Sequence, residues 1–389
     1  MQIFVALSTT TSIQALVTMA SLAVAVFGPQ AARDIGVAPE SIGIYASLTY
    51  VGAMLGSLLA GGFILRYGPI RFSQYAMLLC AIGLLICVGG QWWWFVISAL
   101  VFGLGYGPTT PASSHILSRH TPSANWSLLF SIKQTGVPLG GVLAGLLIPY
   151  LLLFFDWKEV AVIVAALITT GILLLQLVRR RYDSELVPDQ PLVAGNIVAP
   201  LRLVFTNAKL RFLAVSSFFF SSTQQSYVYY LVTYLEVGLS WSTQAAGLAL
   251  SVLGISATVG RVGWGAIADA RGNSRQVLAI LALGMGGAAM VTANFHDGWA
   301  PALVLFVCAI FGATGAAWNG IYIAEITRSV EPDQVGHATG GGLFVTFAGV
   351  MITPPLFGLL AEISGGFKFP FLVIGIAPLL IGMVLIFRR

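Results

Sequence analysis

Charge is what this chain has least of. Of 389 residues only 8% are Asp, Glu, Lys or Arg, while 57% are hydrophobic. A soluble globular domain carries about 25% charged residues, and the mean hydropathy here is +0.90. A chain of this kind cannot cover itself with a water-soluble surface, so the composition excludes a soluble domain and leaves a polytopic membrane protein. Acids are scarcer than bases, 14 against 19. The 3 cysteines, Cys80, Cys87 and Cys308, lie in apolar runs with neither disulfide nor metal-ligand spacing, and read as small buried hydrophobes. A Walker motif, a metal-ligand cluster and a nucleophile–base arrangement are all missing, which leaves no enzyme reading and no expected cofactor, metal or nucleic-acid partner. The glycine run "ATGGGLF" from Ala338 follows no strand and is not a nucleotide loop. The N-terminal stretch lacks the basic start and small-residue cleavage site of a signal peptide, and is expected to be a retained span.

What is there is a series of long apolar runs. A membrane helix needs about 20 mostly apolar residues, and charged residues punctuate the chain at that interval. Twelve spans are expected, near 9–31, 41–64, 73–91, 94–117, 126–151, 159–178, 211–235, 243–268, 276–294, 299–326, 338–361 and 369–387. The run from Phe72 to Ser118 has no charge but is too long for one crossing, and Gln91-Trp92-Trp93-Trp94 divides it as an interfacial aromatic turn. Lysine and arginine set the direction. With both termini cytoplasmic, fourteen of the 19 basic residues fall in inside loops and the tail, among them Arg66, Arg71, Arg179, Arg180, Arg181, Arg271, Arg388 and Arg389. Three, Arg33, Lys158 and Lys368, fall outside. The bias supports a cytoplasmic-membrane protein with both ends inside, and the short loops suggest a bacterial inner membrane.

The longest polar segment, Arg179 to Asn196, bisects the chain, and "PLRLVFTNAKLRF" from Pro200 reads as a short amphipathic surface helix. The halves echo each other. "GGFILRYGPIR" (Gly61–Arg71) follows the second span and "GWGAIADARGNSR" (Gly263–Arg275) the eighth; aligning Gly61 with Gly265 superposes Gly68 on Gly272 and Arg71 on Arg275. "TGVPLGGVLAGLL" in span five and "FAGVMITPPLFGLL" in span eleven share a Gly-Val pair and a Gly-Leu-Leu. Six-span repeats are a mark of secondary transporters. This layout, with Gly265, Asp269, Arg271 and Gly272 between spans eight and nine, resembles the major facilitator superfamily over nearly the whole chain. The resemblance implies an all-α fold of two pseudo-symmetric six-helix bundles, here 1–178 and 210–389 joined by a cytoplasmic linker at 179–209. It also implies that Gly61, Gly68, Gly265, Asp269, Arg271 and Gly272 form gating loops. The first-half loop has Leu65 where the family usually has aspartate, and Ala99 stands where span four often carries arginine.

Ionisable groups inside a bilayer are functional candidates. Lys133, followed by Gln134, lies roughly 10 Å inside span five, and Arg261 roughly 12 Å inside span eight, at 1.5 Å per residue. The resemblance implies that spans five and eight face each other, so that both cations approach one cavity. "GRVGWGAIAD" (Gly260–Asp269) is similar to span eight of the monocarboxylate and oxalate–formate transporters, in which this arginine contacts a carboxylate. The acid often found one turn earlier in proton-coupled carriers is Ala257 here. Alternatives stay open for each cation: Lys133 can instead snorkel to the interface, and Arg261 can pair with Glu325 or with helix carbonyls. Span seven carries six consecutive polar residues, Ser221 to Ser226, and Gln224 and Tyr227 share a face at i, i+3. Span ten adds Trp318, Asn319 and Tyr322. By the resemblance these line the cavity; the bland reading is helix–helix hydrogen bonding. His115 can titrate near neutrality and is a coupling candidate with Glu325, whose plainer role is a surface pair with Arg328. Glycines spaced at four residues, Gly52 and Gly56, Gly136 and Gly140, and Gly141 and Gly145, allow close helix packing.

The expectation is a monomeric secondary transporter that moves a small organic anion, a carboxylate by class, by alternating access. A proton or a counter-anion would be the co-substrate and lipid the surroundings. The alternatives are an efflux carrier for neutral or amphipathic compounds and a non-transporting sensor on the same fold.

Overall fold

The computed structural model describes residues 2–37, 42–190, 192 and 198–387. Asn196, at the end of the central polar segment, and Arg388 and Arg389 of the basic tail lie outside the described residues. Every regular element among the described residues is helical, as the uninterrupted apolar runs require: with no water to bond the backbone, each span must satisfy its own amides. In the first half, α1 (Gln2–Ile35), α2 (Ile42–Tyr67) and α3 (Pro69–Cys87) are continuous spans. Span four is broken into α4 (Trp92–Tyr106) and α5 (Thr109–His120), and span five into α6 (Trp126–Gln134) and α7 (Gly136–Leu151). Span six is α8 (Trp157–Tyr182).

In the second half, the surface segment forms α9 (Ala199–Thr206), which is bent by 104° from the following helix, α10 (Ala208–Thr233). Span eight is α11 (Thr243–Arg271) and span nine α12 (Ser274–Thr292). Span ten is broken into α13 (Pro301–Gly315) and α14 (Trp318–Thr327); α15 (Val335–Ser364) and α16 (Lys368–Phe387) complete the chain. Among the described residues, eleven spans are long and apolar enough to cross a membrane by themselves. The twelfth, built on α10, reaches that standard only together with α9, because the polar run Ser221–Ser226 sits in its middle.

The chain forms two compact units. Unit 1 comprises Met1–Pro122, Lys133–Arg211 and Ile326–Phe347; unit 2 comprises Ser123–Ile132, Phe212–Glu325 and Ala348–Arg389. Each unit thus includes a short segment from the other sequence half. Two of the three glycine pairs account for close packing inside unit 1. A Cβ at Gly52 or Gly56 would strike the α4 carbonyls of Leu100 and Leu104, and one at Gly136 or Gly140 would strike the α1 carbonyls of Thr11 and Ala15. The third pair does not: nothing lies within 4 Å of a Cβ at Gly145. Cys80, Cys87 and Cys308 are free thiols, all buried.

Candidate functional site

In unit 1 the polar centre is built around Lys133. Gly136 and Gly140 let α7 approach α1, and the break at Thr135 leaves Lys133 and Gln134 at the end of α6. The Lys133 side chain is 1% exposed. Its Nζ donates to Gln14 Oε1 at 2.8 Å, Thr110 Oγ1 at 3.1 Å and Gln134 Oε1 at 3.2 Å. Three donors meet three neutral oxygens, so the ammonium is fully bonded, and it does not snorkel. No carboxylate among the described residues pairs with it. Gln14 is held in turn by Thr18, to which its Nε2 donates at 3.2 Å. Thr110 lies just past the Gly107–Pro108 break of span four. His115, on the same short helix α5, is 5% exposed and its Nδ1 has no hydrogen-bond partner.

In unit 2 the break of span ten has the corresponding role. Arg261 on α11 is 6% exposed, and its Nε donates to the carbonyl of Ala316 at 2.9 Å, in the gap between α13 and α14. Immediately after the gap, Trp318 Nε1 donates to Gln224 Oε1 at 2.9 Å and Asn319 Nδ2 to the same oxygen at 3.4 Å. Tyr322 stacks edge-on against Trp318, with centroids 5.5 Å apart. The expected polar faces of spans seven and ten therefore meet at Gln224, Trp318 and Asn319.

Tyr227 is placed differently from Gln224. It is fully buried; its hydroxyl bonds Thr292 Oγ1 at 2.8 Å and its ring lies 3.5 Å from Phe311. It packs α10 against its neighbours in unit 2 instead of joining Gln224, because a spacing of three residues on a helix does not say which edge of the shared face turns inward. Glu325 is half-buried near the end of α14.

The loop residues are tied down locally. Gly272 ends α11 at φ +61, a left-handed cap that glycine adopts without strain. The Asp269 carboxylate accepts the backbone N–H groups of Ser127 at 3.1 Å and Leu128 at 2.7 Å, at the start of α6. A carboxylate suits a helix N-terminus through both the free amides and the helix dipole. Gly265 leaves room there, since its Cβ would meet Ser131. In unit 1 Gly61 is likewise covered by the ring of His337. Leu65 supplies no acid, but Asp183, just after α8, accepts the N–H groups of Ile70 at 2.8 Å and Arg71 at 2.9 Å at the start of α3, the helix that follows Gly68. Arg119 at the end of α5 pairs with Glu185 and Asp333. Arg271 is exposed.

Gln14, Thr110 and Asp183 were missed at the sequence level. For Gln14 the signal was available, an amide in the middle of an otherwise apolar span. Asp183 gave none, as it opens a polar loop rich in charge.

Broken spans inside an all-helical, multi-pass chain are the architecture of a membrane carrier. The sequence profile of the Major Facilitator Superfamily matches residues 10–342, and the chain belongs to that superfamily. It is 21% identical over 370 residues to a hexuronate transporter of Bacillus subtilis, covering 91% of this chain and 86% of the other. It is 28% identical over 358 residues to a monocarboxylate transporter of Bos taurus, covering 90% and 79%. The crystal structure of a human organic anion transporter superposes with a TM-score of 0.80 at 15% identity, over 97% of this chain and 98% of that one.

Proposed function

We propose that the protein carries a small organic anion, a carboxylate, across the membrane by alternating access. The observation that carries this reading is Lys133: a buried cation whose three partners are all neutral oxygens. Such a site is short of negative charge, and a carboxylate can replace one neutral oxygen and supply it. The names of the relatives, which carry hexuronates and monocarboxylates, point to the same substrate class.

In this reading the candidate substrate contacts are, within unit 1, Lys133 and Gln134, and, within unit 2, Arg261, Gln224, Trp318, Asn319 and Tyr322. Arg261 offers a planar fork and Lys133 a point charge. The two halves act as the moving bodies, with 179–209 as the cytoplasmic linker between them, and the loops at Gly61–Gly68 and Gly265–Gly272 bear on the gate. The basic residues favour a bacterial cytoplasmic membrane with both termini inside. The co-substrate is a proton or a counter-anion; His115 is the first candidate to carry a proton and Glu325 the second.

The test is a thermal-shift screen of purified protein against mono-, di- and aromatic carboxylates, repeated with Lys133→Gln and Arg261→Ala. Stabilisation by carboxylates that both substitutions abolish supports the reading. Stabilisation only by neutral or cationic compounds, indifferent to both substitutions, overturns it. Uptake into proteoliposomes under a pH gradient, or against preloaded anion, then separates symport from exchange.

A further inference from the structure

Unit 2 contains a cavity of about 1030 Å³ that has no part in the site above. Its walls are the turn Tyr234–Gly238 just after α10, the turn at Ala293–Trp299 and the turn at Ser364–Phe369. Successive spans reverse direction, so all three lie at the end of the unit opposite the Gly272 turn, the outer end in the proposed orientation. The volume is at the upper edge of the ~300–1,000 Å³ typical of small-molecule sites.

The lining has a definite chemistry. One wall is a run of rings: Phe367 and Tyr234 with centroids 5.3 Å apart, Tyr234 and Phe295 at 6.3 Å and nearly parallel, and Phe295 and Trp299 at 5.2 Å. The Tyr234 hydroxyl pins this wall by donating to the Phe295 carbonyl at 3.1 Å. Tyr234 opens a single π-helical turn, Tyr234–Gly238, a distortion common at functional sites. Lys368 and His296 also line the cavity, the His296 ring edge-on to Trp299 at 6.2 Å. His296 Nδ1 accepts the Gly298 N–H at 3.1 Å, so in the neutral ring Nε2 carries the hydrogen and is a donor. Gly365, at φ +69, makes the tight turn that brings Lys368 to the cavity. No Asp or Glu is among the described residues that line it.

Flat apolar surface beside one cation and one imidazole donor, with no acid, matches one class of ligand. We infer that this cavity is a second binding site, selective for aromatic carboxylates, with the ring against Trp299 and the carboxylate on Lys368 and His296. It uses neither Arg261 nor Lys133. Its place at the outer end suits collection of such anions before transport, a role that rests on the proposed function; the binding itself does not.

The experiment uses the full chain in membrane vesicles with Val237→Cys, a lining residue that is well exposed. The three native thiols are buried, so a cationic methanethiosulfonate reagent reports on the introduced one. Benzoate is expected to slow the labelling. Acetate, cyclohexanecarboxylate and benzyl alcohol, which lack either the aromatic ring or the charge, should do so only at much higher concentration. Adding Lys368→Gln should weaken protection about tenfold, the loss expected for one charge-assisted hydrogen bond. Adding Arg261→Ala should leave protection intact even where it abolishes transport, which separates this inference from the transport reading. Protection that survives Lys368→Gln, or that disappears with Arg261→Ala, overturns the proposal, as does equal protection by acetate or no protection at millimolar benzoate. Trp299→Phe, which retains a ring, is a second variant should Lys368→Gln fail to accumulate. It should keep the preference for benzoate over acetate, and its loss would overturn the stacking role.

Discussion

Replacing Asp269 by alanine removes both acceptors at the start of α6, the bonds from Ser127 at 3.1 Å and Leu128 at 2.7 Å. Hydrogen bonds to a charged group contribute about 1.5–3 kcal/mol each. Loss of a helix N-cap costs about 0.5–2 kcal/mol. Asp269 is half-buried, so water takes over part of the role, and a net loss of about 2 kcal/mol is expected on these grounds. That corresponds to roughly thirtyfold in an equilibrium constant. The assay is unfolding by SDS titration in mixed micelles. Asp269→Asn, which keeps one acceptor but no charge, should fall between wild type and Asp269→Ala. Arg271→Ala, two residues on and exposed, is the control and should stay within about 0.5 kcal/mol of wild type. If Asp269→Ala behaves like Arg271→Ala, the fork does not stabilise the protein and the account of this loop is wrong. On the alternating-access reading, the same substitution also shifts the balance of carrier conformations. The apparent affinity for substrate should then change in a direction that Arg271→Ala does not reproduce.

Lys133→Gln should leave a folded carrier whose uptake of carboxylates falls at least tenfold, chiefly through KM, since the lost interaction is with a charge on the substrate; uptake assays in proteoliposomes read this directly. Arg261→Lys keeps the charge but loses the planar fork, so it should also impair uptake, and wild-type kinetics would remove Arg261 from the binding role. Burial pushes the Asp183 carboxyl above its ordinary value of 3.8, outweighing the N–H groups of Ile70 and Arg71 and the charges of Arg179 and Arg71, which pull it down. The folded protein therefore holds this proton more tightly than the unfolded chain. Its contribution to stability is fully present below the ordinary carboxylate value and declines as pH rises through the folded-state value. Melting curves across the acid range should show this slope in wild type and not in Asp183→Asn; identical slopes would contradict it.

The spans were legible because charges punctuate the apolar runs, and charge is what a bilayer excludes most strongly. The same rule marked Lys133 and Arg261. Most of the surroundings were not legible, since Gln14 and Thr110 reach Lys133 from spans one and four, and no local pattern links them. The break of span ten at Ala316–Ala317 carries neither proline nor glycine and left no trace, whereas Gly107-Pro108 in span four was visible punctuation. Asp269 stood out within its loop motif, but its partners lie 142 and 141 residues away. That Tyr227 meets Thr292 and Phe311 was not legible either, because helical periodicity assigns a face without saying what that face meets.

The two carboxylate forks differ in where their partners sit along the polypeptide. Asp183 ties the end of α8 to the start of α3, both from the first half, so it can stay fastened through any motion of that half as a body. Asp269 ties the end of α11 to Ser123–Ile132, a stretch from the first half that belongs to the second compact unit. Whenever those two lengths of chain separate, this fork must let go and the other need not. On the alternating-access reading, the first of these fastenings is a rivet and the second a latch.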